Sequence, residues 1–236
     1  MLTAMVDFHT HILPGIDDGS RGVEESLQML RAMPEVSHVV ATPHFYASEN
    51  TPERFLRRRG AAWARLREQL DAAAPDIRLG AEVFYFEGIC RSNELSALCI
   101  EGTNVLLLEM PFDNWSSRAF NDLLELGHRA DIQIVLAHAE RYDIFYHRRD
   151  WQHIADSPIL IQCNAAFFLH LRTRHRALRR LEDGYIHLLG SDCHGIERRA
   201  PVLGEAAQVI RKHLGDNALR DVDRLALQLL DGRGTE

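Results

Sequence analysis

The chain contains 236 residues, of which 46% are hydrophobic and 26% are charged, a balance typical of a folded globular protein rather than a disordered one. Its 34 acidic and 27 basic residues give a net charge of −7, which argues against binding nucleic acid or an anionic membrane surface through bulk charge. The longest segment without Asp, Glu, Lys or Arg covers residues 157–171 and is too short to span a bilayer. We therefore expect no membrane insertion and no nucleic-acid partner.

The N-terminus and the cysteines indicate the compartment. Residues 1–6 carry no basic side chain and are followed by Asp7, so they do not resemble a secretory signal. The four cysteines have no C-x-x-C spacing and are too few for a disulfide framework. They are Cys90, Cys99, Cys163 and Cys193. We expect reduced thiols in a cytoplasmic protein.

Taken in chain order, seven short apolar or β-branched runs predict buried strands. They are Ala4–His9, His38–Thr42, Ile77–Val83, Asn104–Glu109, Gln133–His138, Ile159–Cys163 and Tyr185–Ser191. Helical patterns lie between or after them, at Val23–Met33, Thr51–Ala74, Phe120–Ala130, Arg172–Leu181, Val202–Leu214 and Leu219–Leu230. Ser20 is expected to cap the first helix, and Thr51 with Pro52 to begin the second. Strands alternating with helices predict one α/β domain over residues 1–236 with a parallel sheet, closer to a barrel than to an open sheet.

Side chains that could bind metal stand at the ends of these predicted strands. His9 and His11 are two residues apart on the first strand, so both can point toward one ion. Six of the seven strands end near His, Asp or Glu: His9 and His11, His44, Glu82, Glu109, His138, and Asp192 with His194. The sixth strand ends near Asn164 and is the exception. In a parallel barrel, the carboxyl ends of the strands form the rim where ligands bind.

Imidazole and carboxylate ligands without thiolates suit Zn, Mn or Fe. The candidate ligands are more numerous than one ion needs, so we expect a cluster of two or three ions, which typically hydrolyses phosphate esters. Glu82 and Glu109 follow strongly apolar runs, where a buried carboxylate needs a compensating cation.

These motifs resemble a known family. The segments Asp7–His11, Leu13–Gly19, Thr42–His44 and Gly190–His194 are similar to those of the polymerase-and-histidinol-phosphatase (PHP) superfamily. Within it, Asp17-Asp18-Gly19 and the run His138–Tyr142 resemble the bacterial tyrosine phosphatases of capsule and exopolysaccharide operons, the CpsB/CapC type. The resemblance extends from about Asp7 to Gly215 and implies a distorted (β/α)7 barrel of the PHP fold, with the metal site at the carboxyl ends of the strands.

The resemblance also implies a trinuclear site. The first metal would be held by His9, His11, Glu82 and Asp192; the second by Glu82 as a bridge with Glu109 and His138; the third by Asp18, His44 and His194. Arg141 and Arg199 match the family's phosphate-contacting arginines, whose guanidinium groups can bind two phosphate oxygens at once. Manganese is the expected metal, with iron or zinc as alternatives.

The implied activity is hydrolysis of phosphotyrosine by a metal-activated hydroxide. The implied substrate is the tail of a tyrosine kinase that controls polysaccharide export. Three alternatives stay open: a small-molecule phosphatase of the histidinol-phosphatase type, a proofreading-type nuclease, and a non-catalytic module that binds a phosphorylated partner. The oligomeric state is not predicted.

Two further features have competing interpretations. Cys193 and Arg199 satisfy the C-x5-R spacing of phosphatases that use a cysteine nucleophile. We predict that Cys193 instead packs behind the site, because in an extended strand end its side chain points away from those of Asp192 and His194. Phe45, Tyr46 and Phe112 follow ligand-bearing strand ends and could either line a slot for a phenyl ring or pack in the core or at the rim.

Overall fold

The computed structural model describes residues 5–142 and 148–232, which form parallel strands and α-helices in alternation. The strands are β1 (Met5–Thr10), β2 (Val36–Ala41), β3 (His44–Phe45), β4 (Asp76–Leu79), β5 (Glu82–Phe84), β6 (Val105–Glu109), β7 (Gln133–Leu136), β8 (Leu160–Asn164) and β9 (Leu188–Gly190). The helices are α1 (Val23–Arg31), α2 (Pro52–Arg67), α3 (Ser117–Gly127), α4 (Arg148–Ala155), α5 (Ala166–Leu169), α6 (Leu171–Glu182), α7 (Leu203–Leu214) and α8 (Asp216–Leu230). Short 3-10 turns occur at Ile89–Arg91, Leu95–Leu98 and Ala139–Tyr142.

All strand pairings are parallel, and the strands follow two orders, β1-β2-β4 and β3-β5-β6-β7-β8-β9. Main-chain hydrogen bonds join β1 to the segment after β9: Asp192 N donates to His9 O at 2.8 Å, and His11 N to Cys193 O at 3.0 Å. The sheet is therefore curled, with the first strand lying beside the last. This arrangement confirms the predicted α/β class with a parallel sheet.

Two of the predicted strands are interrupted. The run predicted at 38–42 ends at Ala41, and the chain resumes pairing in β3; the run predicted at 77–83 breaks between β4 and β5. Gly80 N still donates to Ala41 O at 2.8 Å, and Glu82 N to Pro43 O at 3.1 Å, so the two broken strands stay side by side through the break. Because of these breaks, the count of seven β/α units stays a prediction.

The apolar core has two parts on opposite faces of the sheet. The larger part fills the space between the strands and the surrounding helices. The smaller part lies on the other face, inside the curl, and includes Val105, Leu107 and Val135 together with Leu229 and Leu230 of α8. Because side chains alternate along a strand, the inner series of β6 runs Val105, Leu107, Glu109 and changes from apolar to acidic at the carboxyl end. The inner face thus ends in a polar rim.

The two predicted helix caps have different outcomes. Thr51 accepts a hydrogen bond from Arg54 N at 3.3 Å, and Pro52 is the first residue of α2, as predicted. Ser20 does not cap α1; the cap residue is Gly22, and the Ser20 hydroxyl donates to Gly22 O at 2.9 Å instead. Among residues 5–142 and 148–232, no helix combines the length and the apolar character needed to cross a membrane.

Candidate metal centre

The structure brings the nine predicted ligands to one rim of the curled sheet. They occupy β1 (His9, with His11 just after it), the loop after β1 (Asp18), β3 (His44), β5 (Glu82), β6 (Glu109) and the segments after β7 (His138) and β9 (Asp192 and His194). Most are buried, whereas the Asp18 side chain is 69% exposed. The rim is therefore a set of enclosed imidazoles and carboxylates with one carboxylate at its mouth.

A first group surrounds the point where His9 and His11 meet. Their Nε2 atoms lie 3.1 Å apart, and each is 3.2 Å from Glu82 Oε2 and 3.6 Å from Asp192 Oδ1. The Nδ1 atoms are used elsewhere: His9 donates to Gln162 Oε1 at 3.2 Å and His11 to Asp17 Oδ2 at 2.8 Å. With Nδ1 engaged in this way, Nε2 is the ring atom that each histidine turns toward the other and toward a carboxylate, an arrangement that a cation stabilises.

These separations have the size that metal coordination requires. Ligand atoms bound to one ion at about 2.0–2.2 Å lie roughly 3–3.5 Å apart. Imidazole nitrogens and carboxylate oxygens that face one another at these distances fit a divalent cation, and this donor set suits Zn, Mn or Fe.

Glu82 lies at the centre of the nine ligands. Its Oε1 is 2.7 Å from His138 Nε2, and its Oε2 is 3.0 Å from His44 Nδ1. Within the described part of the chain, Glu82 Oε2 is buried without a hydrogen-bond partner. Burial would raise the pKa of this carboxyl, but the surrounding imidazoles, His9 foremost, hold it well below its ordinary value. Glu82 thus presents Oε1 to His138 and Oε2 to His9, His11 and His44.

Two further groups lie on either side of Glu82. On one side, Glu109 Oε1 is 3.3 Å from His138 Nε2, and Glu109 Oε2 is 3.8 Å from His44 Nδ1. On the other side, Asp18 Oδ1 is 3.5 Å from His44 Nε2 and 3.4 Å from His194 Nε2. Three overlapping sets have ligand atoms within 4.8 Å of one another: His11, Asp18, His44 and His194; His9, His11 and Asp192; and His44, Glu82 and Glu109. The imidazoles of His11 and His44 thus lie between neighbouring groups.

The side chains that orient these ligands were not identified from the sequence. Asp17 accepts from His11 Nδ1 and also from His44 N at 3.0 Å, and Gln162 Oε1 accepts from His138 N at 2.7 Å. Burial lowers the pKa of His11, but the charge and hydrogen bond of Asp17, together with Glu82, outweigh burial and raise it to about 10. Such partners fix the ring orientation and the tautomer of a ligating histidine. The available signals were Asp17 within the Asp-Asp-Gly segment and the polar residues of β8, which interrupt an apolar strand.

Arg141 and Arg199 both contact Asp192. Arg141 Nη2 lies 2.5 Å from Asp192 Oδ2, Arg199 Nη2 contacts the same oxygen, and Asn164 Nδ2 donates to it at 2.7 Å. The other oxygen, Oδ1, faces the His9 and His11 rings. Asp192 therefore has one oxygen on the side of the ligands and one on the side of the arginines, which places both guanidinium groups beside the candidate metal site.

The backbone is strained at three of the predicted residues. His138 (φ 33°), Asp192 (φ 53°) and Arg199 (φ 51°) are the non-glycine residues with positive φ within the described ranges. Each such conformation costs on the order of 1–3 kcal/mol and is typical of functional sites. Strand β9 ends at Gly190, so the assumption that Asp192 continues an extended strand is wrong. A Cβ at Gly190 would lie 2.6 Å from His9 Cβ, which explains why glycine ends this strand.

Cys193 lies in the core behind the site, as predicted. The assumed extended strand end is not the reason, because the backbone at Asp192 is left-handed. The Cys193 side chain is fully buried among apolar residues, while its carbonyl accepts from His11 N. Burial raises the pKa of the thiol well above its ordinary value, and the negative charge of Asp7 raises it further. These surroundings are opposite to those that activate a cysteine nucleophile.

The chain matches a known protein family over nearly its whole length. The family described as "Capsular polysaccharide synthesis, CpsB/CapC" matches residues 5–226. The chain is 26% identical over 229 residues to tyrosine-protein phosphatase CpsB of Streptococcus agalactiae serotype V, covering 89% of this chain and 91% of that protein. It is 27% identical over 221 residues to tyrosine-protein phosphatase YwqE of Bacillus subtilis, covering 89% of this chain and 85% of that protein.

Solved structures agree on the fold. Crystal structures of YwqE from Bacillus subtilis and CpsB from Streptococcus pneumoniae, described as metal-dependent tyrosine phosphatases, include a chain that superposes with a TM-score of 0.84 at 23% identity. The match covers 98% of this chain and 96% of that one. A dihydropyrimidinase from Brevibacillus agri has a TM-score of 0.58 at 13% identity, covering 95% of this chain and 70% of that one. With its rim of imidazoles and carboxylates and a family match over nearly its whole length, the chain belongs to the CpsB/CapC family of capsular polysaccharide synthesis proteins.

Proposed function

We propose that this protein is a metal-dependent protein-tyrosine phosphatase that hydrolyses phosphotyrosine. The observation that carries the proposal is the convergence of imidazoles and carboxylates around Glu82, with Arg141 and Arg199 beside them. The relatives CpsB and YwqE are named tyrosine-protein phosphatases, and the relative CapC of Staphylococcus aureus is named a putative one.

We assign the ligands as the resemblance implies. His9, His11, Glu82 and Asp192 hold one ion; Glu82, Glu109 and His138 hold a second; Asp18, His44 and His194 hold a third. The interatomic distances given above support the first group most directly, because the Nε2 atoms of His9 and His11 each lie within 3.6 Å of an oxygen of Glu82 and of Asp192. We propose manganese as the metal, with iron or zinc as alternatives, since the donor set suits all three.

The chain's own residues bind and orient the substrate. When bound, divalent ions supply Lewis-acid stabilisation of the phosphoryl oxygens and activate water for hydrolysis. Arg141 donates from Nη2 to Asp192 and keeps further N–H donors for phosphate. Arg199 contacts Asp192 through Nη2 and His194 Nε2 through Nη1, at 2.9 Å, and keeps its remaining N–H donors for phosphate. Asp17 and Gln162 hold the imidazoles of His11 and His9, which preorganises the site before substrate arrives.

In the net reaction, the bond between phosphorus and the tyrosine oxygen breaks. The oxygen of water becomes bonded to phosphorus, and a proton goes to the departing phenolate. No phosphorylated side chain is required, and the surroundings of the Cys193 thiol support this, because it is fully buried in the apolar core.

We further propose the biological setting. The substrate is a phosphotyrosine segment of a protein, such as the tail of a tyrosine kinase that controls polysaccharide export. We treat residues 1–236 as one domain with seven β/α units, two of whose strands are interrupted. We place the protein in the cytoplasm, because its four cysteines have no C-x-x-C spacing and are too few for a disulfide framework.

The function is tested with protein purified without chelator and then loaded with Mn²⁺, Fe²⁺ or Zn²⁺. Phosphate release is measured from a phosphotyrosine peptide, the matching phosphoserine peptide and histidinol phosphate. We expect the phosphotyrosine peptide to have the highest kcat/KM and a chelator to abolish turnover. Preference for histidinol phosphate would instead support the small-molecule phosphatase, and binding of the peptide without turnover in any metal would support a non-catalytic module.

A further inference from the structure

Phe112 is an exposed aromatic side chain beside the candidate metal site. Its side chain is 47% exposed, and it lies three residues after Glu109 at the end of β6. Among the described residues, only Leu171 and Ile196 are other large hydrophobic side chains with comparable exposure. Neither of these has an aromatic ring, so Phe112 is the aromatic member of this exposed set.

The ring of Phe112 contacts residues of the site itself. Its centroid is 5.4 Å from the His138 ring and 5.2 Å from Arg141 Cζ, a cation–π distance. A predicted metal ligand and a predicted phosphate-binding arginine therefore share Phe112 as a neighbour.

The position of Phe112 is supported from the core. Its ring is stacked on Tyr142 at 5.9 Å with an interplanar angle of 22°. Tyr142 is fully buried, its hydroxyl accepts from Met110 N at 2.9 Å, and Trp115 packs edge-on against it at 5.0 Å. Phe112 thus packs on a buried aromatic pair, while nearly half of its own side chain is exposed.

A second aromatic pair lies across Glu109. The Tyr46 ring is 5.4 Å from the His44 ring and 5.5 Å from the Phe84 ring. His44 and His138 lie on either side of Glu109, so aromatic rings line the rim on both sides of that carboxylate. The rim offers apolar surface around a charged centre, which suits a ligand with a flat apolar body and an anionic end.

We propose that Phe112 determines specificity by packing against the aryl ring of the substrate while Arg141 binds its phosphate. This inference rests on the proposed function and goes beyond it, because it names the residue that selects aryl over alkyl phosphate esters. Aromatic pairs contribute about 0.5–1.5 kcal/mol beyond the burial of their surface. A phosphoserine substrate lacks the ring and gains nothing from this contact.

The test measures binding directly, without turnover, by calorimetry on the Mn²⁺-loaded protein. The probes are phenylphosphonate, methylphosphonate and inorganic phosphate. We expect Phe112→Ala to weaken phenylphosphonate binding about 10-fold, which is the size expected for the loss of one aromatic contact. The affinities for methylphosphonate and inorganic phosphate should change by less than about 2-fold. Phe112→Trp should retain most of the preference for the phenyl compound, and Leu171→Ala, an exposed apolar truncation on α6, should change none of the three affinities.

Two outcomes would overturn the inference. Equal weakening of all three probes by Phe112→Ala would mean that the ring only positions Arg141. Unchanged phenylphosphonate binding would mean that the aryl ring packs elsewhere. Metal content, measured in each variant, identifies a variant that has lost the site. Because these affinities do not depend on catalysis, a protein that fails to hydrolyse phosphotyrosine would refute the proposed function without deciding the role of Phe112.

A kinetic measurement on the active enzyme adds an independent readout. Phe112→Ala should raise KM for the phosphotyrosine peptide about 10-fold while kcat changes less than about 3-fold, because ring packing stabilises the bound substrate and the transition state alike. A fall in kcat with unchanged KM would contradict this.

Discussion

Two buried carboxylates at opposite ends of the sheet differ sharply in their surroundings. Glu82, at the carboxyl ends of the strands, is 1% exposed and lies within 3.2 Å of a nitrogen from each of four imidazoles, those of His9, His11, His44 and His138. Asp223 of α8, near the start of β1, is 6% exposed and accepts one hydrogen bond, from Val6 N at 3.1 Å. Its second oxygen has no partner within the described residues.

The pKa values of the two groups respond in opposite directions. Burial raises the pKa of Asp223 to about 6, because one amide hydrogen bond does not replace the lost hydration. Burial acts on Glu82 in the same direction, but the imidazoles outweigh it and the pKa falls well below its ordinary value. Burial therefore does not identify a functional acid; the convergence of several charged or ligating partners does.

The largest expected effect is that of removing the central carboxylate. Glu82→Gln should lower metal affinity at least about 100-fold and abolish turnover, because a neutral amide is a poor bridge between cations. Substituting residues that only hydrogen-bond to metal ligands already lowers affinity about 10–100-fold. Metal content is measured by elemental analysis of the purified variant. Asp223→Asn is the control, because it removes a buried carboxylate at the other end. Near-normal metal occupancy in Glu82→Gln would refute the bridging assignment.

The next effect concerns the arginines on Asp192. Arg141→Lys and Arg199→Lys should each lower kcat/KM by about 10- to 1,000-fold, by analogy with loss of one transition-state donor, because lysine keeps the charge but loses the two-pronged contact. Metal content should stay normal. Arg129→Lys, which changes an arginine paired with Asp131 outside the site, should retain full activity. Wild-type kinetics in either site variant would remove that arginine from phosphate binding.

A smaller effect is expected at Asp223 and concerns stability. Because its pKa is raised, Asp223 is protonated in the folded state but ionised in the unfolded state between about pH 4 and pH 6. The free energy of unfolding therefore falls as the pH rises through that window. Asp223→Asn keeps the acceptor for Val6 N and should be more stable than wild type at pH 7 by at most about 3 kcal/mol, with no gain at pH 4. Urea unfolding at both pH values measures this.

The control for that experiment is Asp221→Asn, an exposed acid on the same helix that pairs with Arg224. Its stability difference from wild type should stay small at both pH values, as is usual for exposed ion pairs. An identical response to pH in Asp223→Asn and wild type would show that burial does not shift the pKa of Asp223.

The smallest effect on catalysis is expected at Cys193. Cys193→Ser and Cys193→Ala should retain most phosphatase activity, whereas a chelator should abolish activity in the wild type. Phosphate release from a phosphotyrosine peptide measures both. A buried serine hydroxyl costs some stability, so the alanine variant separates loss of fold from loss of a nucleophile. Inactive but folded variants, together with a chelator-resistant wild type, would overturn the metal mechanism.

The ligands were predictable because their spacing is local. In the sequence, His9 and His11 are two residues apart, and the other ligands except Asp18 stand at or just after the ends of predicted strands, where a parallel sheet must bring them to one edge. Asp18 lies in the loop after β1 and was predicted only through the family resemblance. The orienting residues were harder to predict, because Asp17 also binds His44 N and Gln162 binds His9 and His138, contacts between segments far apart in sequence. Asn164 was noted only as an exception to the pattern, yet it holds Asp192 from the neighbouring strand end.

The amino-acid sequence by itself determined the α/β class, the parallel strands, the family and the residues gathered at the rim, since all of these follow from periodicity and short motifs. Only the tertiary structure decided where two strands break, that Gly22 rather than Ser20 caps α1, and that the chain turns left-handed at Asp192. It also decided that Asp223 is buried with one partner and that Phe112 stays exposed on Tyr142. These outcomes depend on contacts between distant segments, and packing energies of that kind outweigh the local preferences that a sequence pattern records.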